Sequence, residues 1–380
     1  MLIVAAILAI FVYGIIAAML GTIMPTFTSL TGEQKGYVAL AQAMGLVIAS
    51  LSAGPLIDNK GKKTALVTGL GLITISLFWL PNTGGSYGQL LPTLLLLGLG
   101  GGIIVTGANA LVSDINPARR GAVLNFLNLF FGLGGLATPF IAANLLNSDT
   151  IRLAYTAAIL TLVTFVVHVV TKMPPPSGER SVQWSQAGMI LGRPALWLLS
   201  LFMFLYVSAE VGVWNWLVEY LVRQGIEQSR ALNILSLGFA LGLLVGRMVV
   251  APILVKVSAV NVTLASAALM ALTTYLMLGT SNPTVAGAAV FCAGLAMAPV
   301  FPTTLAMVGD AFPKGTATAM GIVITSGWIG LAVSSRIIGA IAGEGLGNLR
   351  TALLLLPAGS VVMVLVNLAL RPQLKSHPKK

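Results

Sequence analysis

Apolar residues fill the chain in long runs, and polar or Pro/Gly clusters interrupt them at nearly regular intervals. The interruptions fall at Thr31–Lys35, Asp58–Lys63, Pro81–Gln89, Asp114–Arg120, Asn147–Arg152, Lys172–Arg193, Arg223–Arg230, Lys256–Asn261, Thr280–Pro283, Asp310–Gly315 and Gly343–Arg350, with a basic tail from Arg371. A helix needs about 20 apolar residues to cross the hydrocarbon of a bilayer. The runs meet that length, so the pattern predicts twelve membrane-spanning helices, numbered here in chain order. The first begins at Met1 without a basic leader or a small-residue cleavage site, and it reads as span one rather than a removable signal.

Composition agrees. Of 380 residues, 57% are hydrophobic and 8% charged, with a mean hydropathy of +0.95. A soluble protein carries about a quarter charged residues, so this excludes an ordinary soluble enzyme and a disordered chain. The net charge of +11 suggests nucleic acid, but the basic residues are sparse and sit at the ends of apolar runs. They set topology instead, and no nucleic-acid partner is expected. One cysteine, Cys292, excludes a disulfide scaffold and a cysteine metal site. With Asp58–Lys63 placed in the cytoplasm, fifteen basic residues, Arg247 among them, fall on the cytoplasmic side and six on the other. Both termini then lie in the cytoplasm of a multi-pass inner-membrane protein. Lys172–Arg193 is the longest polar segment and divides the chain six plus six. The expected organisation is a six-helix half over 1–172, a linker over 173–193, a second half over 194–370 and a tail over 371–380.

The halves read as copies. Gly98–Pro117 (GLGGGIIVTGANALVSDINP) and Gly294–Pro313 (GLAMAPVFPTTLAMVGDAFP) share the opening Gly-Leu, the Asp four from the end and the closing Pro, at an offset of 196. Gly135-Leu136-Ala137 with Gly330-Leu331-Ala332, Pro55 with Pro252 and Glu33-Gln34 with Glu227-Gln228 repeat at 195, 197 and 194. Two parallel six-span repeats resemble the major facilitator architecture, which implies a site between the halves near mid-membrane and alternating access by rocking. The loop GPLIDNKGKKTAL after span two is similar to the signature of that superfamily, through Gly54, Asp58, Gly61, Lys62 and Lys63. Gly61 permits a tight turn, and Asp58 can face basic residues and a helix terminus, forming a cytoplasmic latch. The second copy has Val255 where Asp58 stands.

Span seven, FLYVSAEVGVWNWLVEYL, resembles that of the fucose permease branch of sugar:cation symporters through Tyr206, Val207, Ala209, Glu210, Val211, Trp214 and Trp216. Gly246-Arg247 in span eight and the Asn-rich start of span five (LNFLNLFFGLGG) add to the likeness. The resemblance implies a small-molecule substrate, a sugar, and a coupling ion, H⁺ or Na⁺, with no cofactor. Two carboxylates of the branch pattern are replaced, by Gly21 and Val105. Glu210 lies 16 residues beyond Pro194, about 24 Å along the helix, and is the one acid expected inside the hydrocarbon zone. Such a group is a functional-site candidate, suited to proton exchange or to bonding sugar hydroxyls or a cation; the alternative is a structural carboxylate bonded to neighbouring helices. Trp214 and Trp216 either stack on a sugar or form an aromatic belt.

Gln42, Asn109, Asn125, Asn128, Asn215, Thr303, Thr304 and Trp328 are polar or aromatic at cavity depth. Amides donate and accept, so Asn109, Gln42 and Asn128 are favoured as ligands; Asn109 shares a helix face with Val105. Arg336 has Glu344 as an outer partner in a salt bridge or gate. Gly132–Ala137 spells a dinucleotide pattern, but within an apolar span close helix packing is the reading. Asn261-Val262-Thr263 spells a glycosylation site on the cytoplasmic side, and His168 and His377 are assigned no chemistry. No H-E-x-x-H, G-x-S-x-G or Walker sequence occurs, which argues against a protease, hydrolase or ATP-driven pump. The leading expectation is a monomeric secondary active importer of a small neutral solute. The alternatives are a sugar uniporter, a proton-coupled exporter of apolar compounds, or a sensor on the same scaffold. Span five lacks the Gly-Pro-x-x-Gly-Gly element of exporters, span four lacks their mid-helix Arg, and the ten-residue tail offers no signalling domain.

Overall fold

A computed structural model describes residues 2–115, 120–173, 190–312, 316–343 and 345–375. Among these, twelve helices are long and apolar enough to cross a membrane: Leu2–Thr26, Gly32–Ile57, Asn59–Thr83, Tyr87–Val112, Phe126–Asn144, Thr150–Val170, Pro194–Arg223, Gln228–Leu254, Ala259–Leu278, Pro283–Ala311, Ala319–Ala342 and Leu346–Leu374. They are spans one to twelve. The fold is all-α, two parallel six-helix repeats, and most of the linker expected over 173–193 lies outside the described residues. Loops after odd spans gather on one face, called here the far face. The ends of even spans share the opposite, terminal face with Leu2 and Lys375.

Local chemistry fixes where spans begin. Thr31 and Gln34 form a reciprocal capping box at the start of span two, which satisfies two helix-end groups at once. Asp149 caps span six by accepting from Ile151 and Arg152, and Asn282 caps span ten ahead of Pro283. Spans two and three are joined through Gly61 at φ 87°, ψ 161°, a left-handed backbone that other residues adopt only with strain. The turn expected at Gly61 is therefore present.

The repeat recurs in the packing. Gly45 and Gly98 bring spans two and four so close that a Cβ on either would meet the other helix's backbone, at the Leu95 or Gln42 carbonyl. Gly242 and Gly294 do the same for spans eight and ten, against the Phe291 and Phe239 carbonyls. Helices in lipid gain little by hiding apolar surface from one another, so small residues and close van der Waals contact hold them instead.

One expected helix is broken. Span ten divides into Pro283–Met297 and Val300–Ala311, because Pro299 has no N–H to continue the ladder. Span eight contains a π-helical stretch, Ile234–Ala240, facing span five, where Ser236 donates to the Leu136 carbonyl at 2.8 Å. The halves meet along three seams: span one on seven, two on eleven and five on eight.

Candidate functional site

Between the halves lies a cavity of about 1530 Å³. Its lining runs from Gln42, Gly98 and Trp214 to Arg193, Leu254, Asp310 and Gln373 at the terminal ends of their spans, so it opens toward the terminal face. Gln42, Asn109, Asn128, Glu210, Trp214, Asn215 and Trp328 all line it. Residues from spans two, four, five, seven and eleven thus converge on one volume. Val105 and Asn109, one turn apart, both face it. Thr303 lines it with a buried hydroxyl that has no hydrogen-bond partner, whereas Thr304 bonds back to the Val300 carbonyl. The side chain of Asn125 lies outside the described residues.

Glu210 is 8% exposed. Tyr206 and Trp214, one turn to either side on span seven, lie beside its carboxylate. Neither the Tyr206 hydroxyl nor the Trp214 indole N–H closes a hydrogen bond. Tyr13 of span one and Arg247 of span eight complete the electrostatic surroundings. The Trp214 ring meets Phe239 edge-on, with centroids 5.1 Å apart. Trp216 is fully buried and does not line the cavity. A belt requires a ring at the lipid interface and stacking on a sugar requires one at the cavity wall, so both readings of Trp216 are corrected.

Sequence reasoning missed Arg247 as a site residue. The charge count assigns it to the terminal face, yet it lines the cavity and its Nη1 donates to the Asn128 carbonyl at 3.1 Å. Its guanidinium lies 5.6 Å from the Phe131 ring centroid. The Gly246-Arg247 pair was the signal, and the long side chain carries the charge far from its backbone.

The far face is sealed. Lys35 Nζ of span two reaches Glu219 of span seven at 2.8 Å, with both side chains buried. Arg223 bonds the same carboxylate and the carbonyls of Ala342 and Gly343. Glu219 is thus a second buried acid, where the sequence pattern places only Glu210. Arg336 pairs with Glu33 at 2.8 Å and stacks on Tyr37; Glu344, its expected partner, lies outside the described residues. Asn144 and Asn233 exchange amide bonds across spans five and eight, and Gly36 packs on Gly339 across spans two and eleven. Glu219→Ala removes the shared anion and leaves Lys35 buried and uncompensated. The expected cost is about 3–5 kcal/mol, read as a lower thermal midpoint of the purified chain; an unchanged midpoint would show that the pair adds nothing.

The terminal face has no seal of this kind among the described residues. Of the signature loop, Gly61 makes its turn, Lys62 is buried and partnered, Lys63 is half-buried and Gly54 leaves open space beside its backbone. The Asp58 side chain lies outside the described residues.

The sequence pattern of the Major Facilitator Superfamily matches residues 2–335 and, in a second match, 229–380. Bypass of stop codon protein 6 of Saccharomyces cerevisiae is 22% identical over 385 residues, 90% of this chain and 76% of the yeast protein. The quinolone resistance protein NorA of Staphylococcus aureus is 26% identical over 153 residues, 40% of this chain and 39% of NorA. Among solved structures, a D-xylose–proton symporter matches over 99% of both chains with a TM-score of 0.82 at 16% identity. The E. coli fucose:proton symporter matches over 97% of this chain and 98% of its own, with a TM-score of 0.66 at 17% identity. At these identities the structural likeness is one of fold.

Proposed function

The chain belongs to the Major Facilitator Superfamily, and from that premise we propose that this membrane transporter imports a small neutral solute, a sugar, by alternating access coupled to H⁺ or Na⁺. The observation that carries the reading is the convergence of three amides, an aromatic pair and one buried carboxylate on a single cavity closed at the far face. Hydroxyl-rich solutes need groups that both donate and accept, which Gln42, Asn109 and Asn128 supply. Trp214 and Trp328 offer apolar faces for a sugar ring, and Asn215 adds a further amide beside Trp214. Glu210 is the coupling group, and it exchanges a proton or holds a cation as the halves rock.

The positive-inside bias makes the terminal face cytoplasmic, so the conformation seen is inward-open. Both termini then lie in the cytoplasm of an inner membrane, and one chain acts as a monomer. Asp58 with Gly54, Gly61, Lys62 and Lys63 forms the latch that shuts this side when the far face opens. Solved neighbours that are proton symporters of D-xylose and fucose support the sugar reading. The partial match to NorA favours a second reading, proton-driven export.

The deciding experiment is uptake by proteoliposomes holding the full chain, with radiolabelled D-xylose, fucose and other sugars under imposed H⁺ or Na⁺ gradients. Accumulation of a sugar above its external concentration is the expected result. If no sugar moves and lipophilic cations are extruded under an H⁺ gradient, the exporter reading replaces it.

A further inference from the structure

Arginines near the seams of this bundle are of two kinds: Arg223 and Arg336 hold acids, whereas Arg193, at the cavity rim, and Arg247, deeper along it, each give one hydrogen bond to a carbonyl. Arg223 holds Glu219 and two carbonyls, Arg336 holds Glu33, and Arg193 donates to the Ala311 carbonyl. Arg247 lines the central cavity with a single hydrogen bond, to the Asn128 carbonyl, and no ion pair among the described residues. A guanidinium carries five N–H donors in a planar fork. A charge inside the membrane span is costly and marks a function, with a partner to be named. Phe131 lies beside this guanidinium, 5.6 Å from Cζ to the ring centroid, and one hydrogen bond leaves donors of the fork for a planar bidentate acceptor.

We propose that Arg247 is a carboxylate subsite, and that the cavity takes polyhydroxy monocarboxylates, the sugar acids, together with one proton. This rests on the reading of the cavity as a sugar site and extends its substrate class.

Charge accounting supports it. The groups in electrostatic reach of Glu210 are Tyr13 on span one, Tyr206 on its own span and Arg247 on span eight. In the empty site, ionised Glu210 and Arg247 sum to zero. A proton on Glu210 leaves Arg247 uncompensated, and a ligand carboxylate restores zero. Both the empty and the loaded site are neutral, so neither carries a net charge through a medium where an unpaired ion is expensive. Bidentate Arg–carboxylate pairing supplies strength and orientation, while the amides of Asn109 and Gln42 line the same cavity for the hydroxyls.

The test uses proteoliposomes of the full chain and two matched pairs, D-glucuronate with D-glucose and D-galacturonate with D-galactose. The acid is expected to accumulate under an inward proton gradient, unaffected by an imposed K⁺/valinomycin potential, because one proton moves with one anion. In Arg247→Gln the ratio of acid to neutral-sugar uptake should fall about 30-fold, the effect of removing one partner of a buried charge pair. Arg247→Lys, which keeps the charge but loses the fork, should fall between. Thermal shift gives a second readout: the acid raises the midpoint of the native chain and not of Arg247→Gln. Neutral sugars transported with acids neither carried nor competing would overturn this subsite and leave the sugar reading standing. An equal fall for both solutes in Arg247→Gln would do the same. Transport of neither class would overturn both readings.

Discussion

Glu210→Gln should reduce concentrative sugar uptake by about 100-fold while leaving the chain folded and inserted. The amide is nearly isosteric and keeps an acceptor, so packing against Tyr206 and Trp214 changes little. It cannot take up and release a proton, nor hold a cation by charge, and it removes a carboxylate in electrostatic reach of Arg247. Coupling is lost first. Equilibrium exchange of labelled for unlabelled sugar needs no gradient, and it should survive in the variant at a rate within about tenfold of the native chain's. The split between lost accumulation and retained exchange separates a coupling group from a structural one. Accumulation against the gradient at the native level would end the assignment of Glu210.

Gly21→Val should abolish transport by a different route. Gly21 packs directly on the Trp214 carbonyl of span seven, so a side chain there collides with backbone that cannot rotate away. Overpacking costs about 1–3 kcal/mol even where neighbours relax, and here the contact closes the far face. A cost of about 3 kcal/mol shifts the ratio of closed to open far face about a hundredfold. Spin labels at Ser29→Cys and Arg230→Cys, both exposed near the far ends of their halves, would report the separation in a Cys292→Ser background. Native-like distances together with native uptake would show that span one does not press on span seven during the cycle. The same glycine explains why no carboxylate stands at this position: the closed seam leaves no room for one.

The twelve spans and the repeat were legible because a bilayer allows few solutions. Every backbone group must be satisfied within a helix, so apolar runs of one length mark spans, and the polar interruptions are all that remain for loops. Gly61 could be read because a left-handed turn selects for glycine. Glu210 stood out because charge is scarce enough for one mid-span acid to be conspicuous. Pairings between halves were not legible. Lys35 and Glu219 are 184 residues apart, and nothing in a helical period connects them; the rule that basic residues flank spans sent Lys35 to a loop, and Glu219 sits near the end of span seven. Arg247 was missed for a related reason, since position along a span says where a Cα lies and not where a long side chain ends. The break at Pro299 was passed over because Pro is common in membrane helices and only packing decides whether it kinks one.

The seal at the far face also keys how the two halves meet. Span two carries Glu33 and Lys35 on its first turn, and they engage opposite signs on different helices, Arg336 and Glu219. A sideways misfit that exchanged the partners would set acid against acid and base against base, each repelling by about 4 kcal/mol at contact near a protein surface. The two halves therefore fit together in one lateral alignment. The seal's two teeth respond differently to the medium: salt screens the exposed Glu33–Arg336 pair, while the buried Lys35–Glu219 pair is shielded from it. Ionic strength at the far face thus loosens one tooth of the seal without altering the alignment that the other keeps.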